Sequence, residues 1–228
     1  MERWFSFSYN TGPCQIALDL SPEWTFPENN IESFSKTSGS LNIIFLSRIT
    51  PKKNLDYALN VLQNVKGSIT FDIYGPIYRD KEYWEECKRI IARMPGNVSV
   101  SYKGVVNRDE IQSTFSGYHV FFFPTRGENY GHVIMESLSA GCPLLISDQT
   151  PWRGLEEKNI GWDIPLSNRN KFRFVLNQLV DMEEDEFKAL KQSSINHAVE
   201  AAGDEYVLEQ NRQLFFTSVN RDSSKNEA

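Results

Sequence analysis

Residues 119–140 read HVFFFPTRGENYGHVIMESLSA, and this stretch decides the fold. His119-Val120-Phe121-Phe122-Phe123 is a short apolar run, as expected of a strand covered on both faces. Pro124 closes it, because proline cannot donate to the next rung of a sheet. A polar loop follows. A helix then starts near Tyr130 or Gly131 and continues Val133-Ile134-Met135-Glu136-Ser137-Leu138-Ser139-Ala140. Strand, polar loop and helix make one βα unit.

The same unit recurs on both sides. Upstream, Leu41-Asn42-Ile43-Ile44-Phe45-Leu46 is apolar, Ser47 to Lys53 is polar, and a helix starts near Asn54 with Leu55, Ala58, Leu59 and Leu62 on one face. A strand over Ile69–Tyr74 stops at Gly75-Pro76, a helix runs from Lys81 to Ala92, and a strand covers Val98–Tyr102. A short helix follows, with Asn107 as its cap and Glu110 three residues later in a capping box. Downstream, Pro143–Ser147 and Ile160–Ile164 read as strands, and two or three helices span 168–217. This alternation predicts a doubly wound α/β domain: a parallel sheet of about six strands with helices on both faces, joined by right-handed crossovers. The expected domain is 41–217. Residues 1–40, with Pro13, Pro22, Pro27 and a Ser/Thr-rich stretch, read as an extended lead-in or linker, and 218–228 as a flexible tail.

Composition narrows the function. The chain has 228 residues, 40 % of them hydrophobic, enough for one large core. No apolar run reaches the ~18 residues of a membrane helix. The start, Met1-Glu2-Arg3-Trp4-Phe5, is no secretory signal, so a cytoplasmic protein is expected. The net charge of −6 disfavours a nucleic-acid surface. Cys14, Cys87 and Cys142 form no metal or disulfide pattern, and Cys142 reads as a buried free thiol.

In a doubly wound sheet, ligands bind beyond the carboxyl ends of the strands, here the loops after Leu46, Tyr74, Tyr102, Phe123 and Ile146. The helix after Phe123 offers free N–H groups and a positive dipole end to an anion, and Gly131 lets a ligand approach its backbone. Glu136 sits roughly 7 Å along that helix and tilts back toward its start, where a carboxylate can accept two hydrogen bonds from a diol. Glu128 then faces whatever lies beyond the phosphate. Chance spacing is the alternative for the glutamate pair. Arg48 and Lys53 supply cations suited to a diphosphate, against the alternative of two solvated surface charges; Lys52 reads as solvated. Gly75 reads as a turn, Val105-Val106 as a loop able to line a base pocket, His119 as a core residue, His132 as either a ligand contact or packing, and His197 as exposed. The Thr150-Pro151-Trp152-Arg153 loop is left without a role.

Three segments in order carry a family resemblance. Ser47-Arg48-Ile49-Thr50-Pro51-Lys52-Lys53-Asn54 resembles a strand-end Gly-Arg-Leu-x-x-x-Lys-Gly segment, Pro124 to Glu136 resembles Pro-Ser-x-x-Glu-x-x-Gly-x-x-x-x-Glu, and Ala140-Gly141-Cys142-Pro143 resembles Ala-x-Gly-x-Pro. Over about residues 41–200 the chain thus resembles the Rossmann-like, donor-binding C-terminal lobe of the retaining group 1 (family 4) glycosyltransferases of GT-B fold. The resemblance implies transfer of a sugar from a UDP-, GDP- or ADP-sugar to a hydroxyl acceptor with retention, and no metal. It implies that Arg48 and Lys53 hold the diphosphate, Glu136 the ribose, and Glu128 the transferred sugar. Backbone around Asn129, Tyr130 and Gly131 then contacts phosphate or sugar, with Gly75 and Val106 also at the nucleotide. It further implies a missing N-terminal lobe for a sugar or lipid-linked glycan acceptor, peripheral membrane association of the whole enzyme, and self-association through the exposed cleft face. A GT-B nucleotide-sugar epimerase and a non-catalytic nucleotide-binding module are the alternatives. Tyr74-Gly75-Pro76, Asn129-Tyr130 and Thr150–Arg153 depart from the family pattern.

Overall fold

Six apolar runs become six strands of one parallel sheet. The computed structural model describes residues 35–77 and 80–202; most of the expected lead-in, any helix beyond 202 and the tail lie outside them. The elements in order are β1 (Ser40–Leu46), α1 (Leu55–Leu62), β2 (Ser68–Tyr74), α2 (Lys81–Ile91), β3 (Val98–Gly104), a 3-10 turn (Arg108–Glu110), α3 (Ile111–Ser116), β4 (Val120–Phe123), α4 (His132–Ser139), β5 (Leu144–Ser147), β6 (Gly161–Ile164), α5 (Arg169–Asp181) and α6 (Glu184–Ala202). The strand order is β3-β2-β1-β4-β5-β6, and every neighbouring pair is parallel. The order therefore reverses between β1 and β4, which is where such sheets open a crevice at their carboxyl edge.

The apolar runs are continuous because both faces are covered. Successive strand residues point to opposite faces. Phe121 packs on Phe115 of α3, with ring centroids 5.1 Å apart. Its neighbour Phe122 packs on Phe172 of α5 at 5.8 Å. Those two helices therefore lie on opposite faces. Every residue of β4 and β5 is buried.

Differences from expectation are local. His119 lies just before β4 rather than within it. Its Nδ1 accepts the backbone N–H of Asn42 at 2.8 Å, and its ring meets Phe187 edge-on, so it is a core residue. α4 begins at His132, not at Tyr130 or Gly131, because Gly131 adopts a left-handed φ of 81° as its N-cap. The Asn107 capping box forms as read: the Glu110 carboxylate accepts the Asn107 backbone N–H at 3.4 Å, and the Asn107 side-chain amide donates to the same oxygen at 2.8 Å. Cys142 is fully buried, and burial pushes its thiol up to about 12. His197, expected to be exposed, is half-buried against Trp152. Asp72 interrupts the core of β2: one carboxylate oxygen takes the Tyr118 hydroxyl at 2.7 Å and Lys103 at 3.4 Å, while the other has no partner among the described residues.

Gly75 is more than a turn. It is buried at φ 134°, and a Cβ there would lie 1.9 Å from the Ser47 carbonyl oxygen. The loops after β1 and β2 thus touch through a position that admits no side chain. Gly75→Ala is expected to cost about 2–4 kcal/mol in urea unfolding, since both backbone strain and overlap must be relieved. A loss within ~0.5 kcal/mol, as for an ordinary surface substitution, would contradict the close packing.

Burial draws the His119 imidazole down from 6.5 to about 4. The unfolded chain therefore takes up the proton first. Stability from this residue is complete above pH 6.5 and is lost as pH falls toward 4. The stability of His119→Leu should accordingly decline less between those pH values than that of the parent, by up to about 3 kcal/mol. Parallel pH profiles would refute the neutral buried state.

Candidate functional site at the β1/β4 crevice

β1 and β4 pair through Ile43 with Val120 and Ile44 with Phe121. Their polar loops, 47–54 and 124–131, leave the sheet side by side. Together they contain Arg48, Lys53, Glu128, Asn129, Tyr130 and Gly131, and they are bonded to each other. The Arg126 N–H donates to the Lys52 carbonyl at 2.8 Å, and the Thr125 hydroxyl donates to the same oxygen at 3.2 Å. The buried amide of Asn54 donates to the Pro124 carbonyl at 2.8 Å and accepts from Arg126 Nε at 2.9 Å.

Lys53 and Glu128 meet across this seam. The Lys53 ammonium donates to Glu128 Oε2, and its side chain is only 8 % exposed. It also stands 5.2 Å from the centre of the Phe123 ring. The second carboxylate oxygen of Glu128 accepts the Asn129 N–H at 3.1 Å. Lys53 is therefore not a solvated surface charge: it is shielded, and Glu128 matches its charge. Arg48 is exposed and pairs with no carboxylate among the described residues.

Glu136 lies in the second turn of α4, half-buried. Burial raises its carboxyl above the usual carboxylate range, with His132 one turn back and Arg108 pulling the other way. No described residue donates a hydrogen bond to that carboxylate. Among the described residues it is an acceptor without a donor, one turn along from the first-turn amides of α4, which have no partners within the helix. Gly131 is buried at the mouth of that helix, where a Cβ would come within 3.1 Å of the Glu128 side chain. Val106 is half-buried in the loop after β3, and that loop reaches the site's neighbourhood through Gly104, whose carbonyl accepts the Gly75 N–H at 2.7 Å.

The Thr150–Arg153 loop has a structural role. The Trp152 indole donates to the Tyr130 carbonyl at 2.7 Å, and the rings of Tyr130 and Trp152 meet at 6.2 Å. This pins the backbone leading into α4. Asn54, Arg126, Thr125 and Trp152 were not singled out as site residues from the sequence. For Asn54 a signal was present: it occupies the place where the resembled segment has glycine, and asparagine tolerates the left-handed conformation that glycine takes. No group of three His, Cys, Asp or Glu side chains among the described residues is placed to hold a metal ion. No helix among the described residues is long and apolar enough to cross a membrane.

Comparison with known proteins agrees with this fold. The family model described as glycosyl transferases group 1 matches residues 26–194. Among curated proteins, the chain is similar to the UDP-N-acetylglucosamine--peptide N-acetylglucosaminyltransferase GtfA subunit of Streptococcus pneumoniae serotype 4, 26 % identical over 151 residues, 64 % of this chain and 26 % of the relative. The GtfA subunit of Streptococcus agalactiae is 24 % identical over 170 residues, 71 % of this chain and 29 % of the relative. The chain thus spans between a quarter and a third of the length of these relatives. Among solved structures, a mutant of Staphylococcus aureus TarM in complex with fondaparinux, alpha-GlcNAc-glycerol and UDP superposes with a TM-score of 0.69 at 16 % identity, covering 91 % of this chain and 40 % of TarM. HepE of Anabaena in complex with UDP and glucose gives 0.64 at 16 % identity, over 80 % of this chain and 49 % of HepE. These structural likenesses are likenesses of fold, and they agree with a Rossmann-like lobe of the GT-B kind. The family match runs through all six strands and into α6, and the chain belongs to the group 1 glycosyl transferases.

Proposed function

We propose that this chain is the donor-binding lobe of a retaining glycosyltransferase that moves a sugar from a nucleoside diphosphate sugar to a hydroxyl acceptor, in the building of a polysaccharide or glycoconjugate. The observation that carries the reading is the Lys53–Glu128 pair at the β1/β4 crevice, with Glu136 on α4, to whose carboxylate none of the described residues donates. In this reading the diphosphate lies between Arg48, Lys53 and the first turn of α4. Glu136 takes the ribose hydroxyls, Glu128 the transferred sugar, and Val106 and Gly75 border the base. The two cations stabilise charge developing on the departing diphosphate, a role that needs no metal. The family match, and relatives named as transferases, favour transfer over epimerisation. Efficient transfer further requires an acceptor held in a fixed orientation to the donor, which we assign to a second lobe. A cytoplasmic whole enzyme meeting a lipid-linked acceptor at the membrane surface fits this arrangement.

The structures of TarM and HepE hold UDP, so UDP leads a calorimetric panel with GDP, ADP and their sugar conjugates. One nucleotide should bind in the micromolar to millimolar range. Glu136→Gln should weaken it by about 1–3 kcal/mol, the worth of charge-assisted hydrogen bonds. Diol donation favours the ionised form of Glu136, whose carboxyl is raised in the free protein. Affinity should therefore fall as pH drops through that raised value, and the Gln variant should lose this part of the pH dependence. Absence of heat with every nucleotide would sink the donor-site reading.

Glu128 and phosphate compete for one ammonium. With Glu128 paired to Lys53, an arriving diphosphate meets a carboxylate as well as a cation. Donor binding then turns Glu128 from Lys53 to the sugar. Glu128→Gln should consequently tighten the sugar-free nucleoside diphosphate, while the matching nucleotide sugar gains less or loses affinity. Equal changes for both ligands would remove Glu128 from this exchange.

A further inference from the structure

Lys53 and Glu128 are 75 residues apart and sit on loops of different βα units. A lysine side chain has four rotatable carbons and no fixed fork, so its reach does not by itself place its charge. Something must hold the two loops in register. Asn54, the residue after Lys53, is 1 % exposed and stands at φ 64°, ψ 37°, in the left-handed region. Few residues other than glycine sit there without strain, and asparagine is the usual exception.

What asparagine adds over glycine is a side chain whose two ends both reach the other loop. Nδ2 donates to the Pro124 carbonyl at 2.8 Å, and Oδ1 accepts from Arg126 Nε at 2.9 Å. The orientation is unambiguous. Turned over, the amide would set oxygen against the Pro124 carbonyl and NH2 against the Arg126 N–H. The backbone carbonyl of Asn54 meanwhile opens α1 by accepting from the Tyr57 and Ala58 N–H groups at 3.1 and 3.4 Å. On the other side of Lys53, the Lys52 carbonyl accepts from Arg126 and Thr125. Lys53 is bracketed: the residues before and after it are both tied to residues 124–126, two to four positions ahead of Glu128.

We infer that Asn54 is a positioning residue, which aims the Lys53 ammonium by locking the loop after β1 to the loop after β4 through Pro124 and Arg126. Its consequence for ligand rests on the donor-site reading; its effect on the Lys53–Glu128 pair does not. Asn54→Gly keeps the backbone conformation and removes both bonds. Asn54→Asp keeps the Arg126 contact but turns a carboxylate on the Pro124 carbonyl.

The test is a thermal-stability cycle of Lys53→Met, Glu128→Gln and the double variant, run in the parent and in Asn54→Gly. In the parent, the double variant should lose clearly less melting temperature than the two singles added, as contacting residues do. In the Asn54→Gly background the losses should add. A cycle of the same size in both backgrounds overturns the inference, and no nucleotide enters this arm. Should Asn54→Gly fail to fold, Arg126→Met deletes one of the two bonds from an exposed position and should shrink the coupling part-way; an unchanged coupling there overturns the inference equally.

In the ligand arm, Asn54→Gly should weaken UDP by about tenfold, the size of a lost charge-assisted contact, and Lys53→Met should then add little further. If the parent binds no nucleotide, the donor-site reading fails while the stability cycle still decides the role of Asn54. If the Lys53→Met penalty on UDP is as large in Asn54→Gly as in the parent, the positioning role is wrong.

Discussion

The site depends on how β1 pairs with β4. Two residue pairs join these strands, and they join the two halves of the sheet. Ile44 lies opposite Phe121, and each strand runs two residues further, to Leu46 and Phe123. The loops therefore leave the sheet level with each other, and the Phe45 and Phe123 rings meet edge-on at 6.1 Å just beneath them. A one-residue slip would turn the buried side chains of β4 to the wrong face, which the phenylalanines on both sides forbid. Hydrophobic packing thus sets the register, and the register sets which polar loops oppose each other.

On that base the electrostatics follow. An ammonium shielded to the degree of Lys53 carries a desolvation penalty of several kcal/mol unless it is paired. Glu128 supplies the pairing charge, and the Phe123 ring adds its electron-rich face. Removing either partner leaves the other charge unmatched.

Much of this was legible in the sequence. β1, β4 and β5, covered on both faces, read as apolar runs; β3 and β6 are more polar and more exposed, yet all six strands fell within two residues of their places. The glutamates and cations were legible as residue types at strand ends. Their partnership was not. Lys53 and Glu128 become neighbours because β4 pairs with β1 and not with β3, and strand order leaves no local mark. Asn54 carried a conformational signal, but its bonds were not legible for a related reason: they go to residues 70 and 72 positions away. Asp72 was hidden inside a strand whose apolar neighbours outvoted it, and its Tyr118 partner again comes from a distant segment.

The departures from the resembled family pattern fall on the frame rather than on the charges. Arg48, Lys53, Glu128 and Glu136 keep their places. Asn54 stands where glycine is usual and gains two bonds to the loop after β4. Trp152, in the altered loop after β5, holds the Tyr130 carbonyl, and Tyr130 is itself a departure. Each change fastens one of the loops that border α4 to another. The charge set is thus retained while the supports around it are rebuilt. The Trp152 bond falls on segment 129–131, between Glu128 and the first turn of α4, so the altered supports and the kept charges meet at one stretch of backbone.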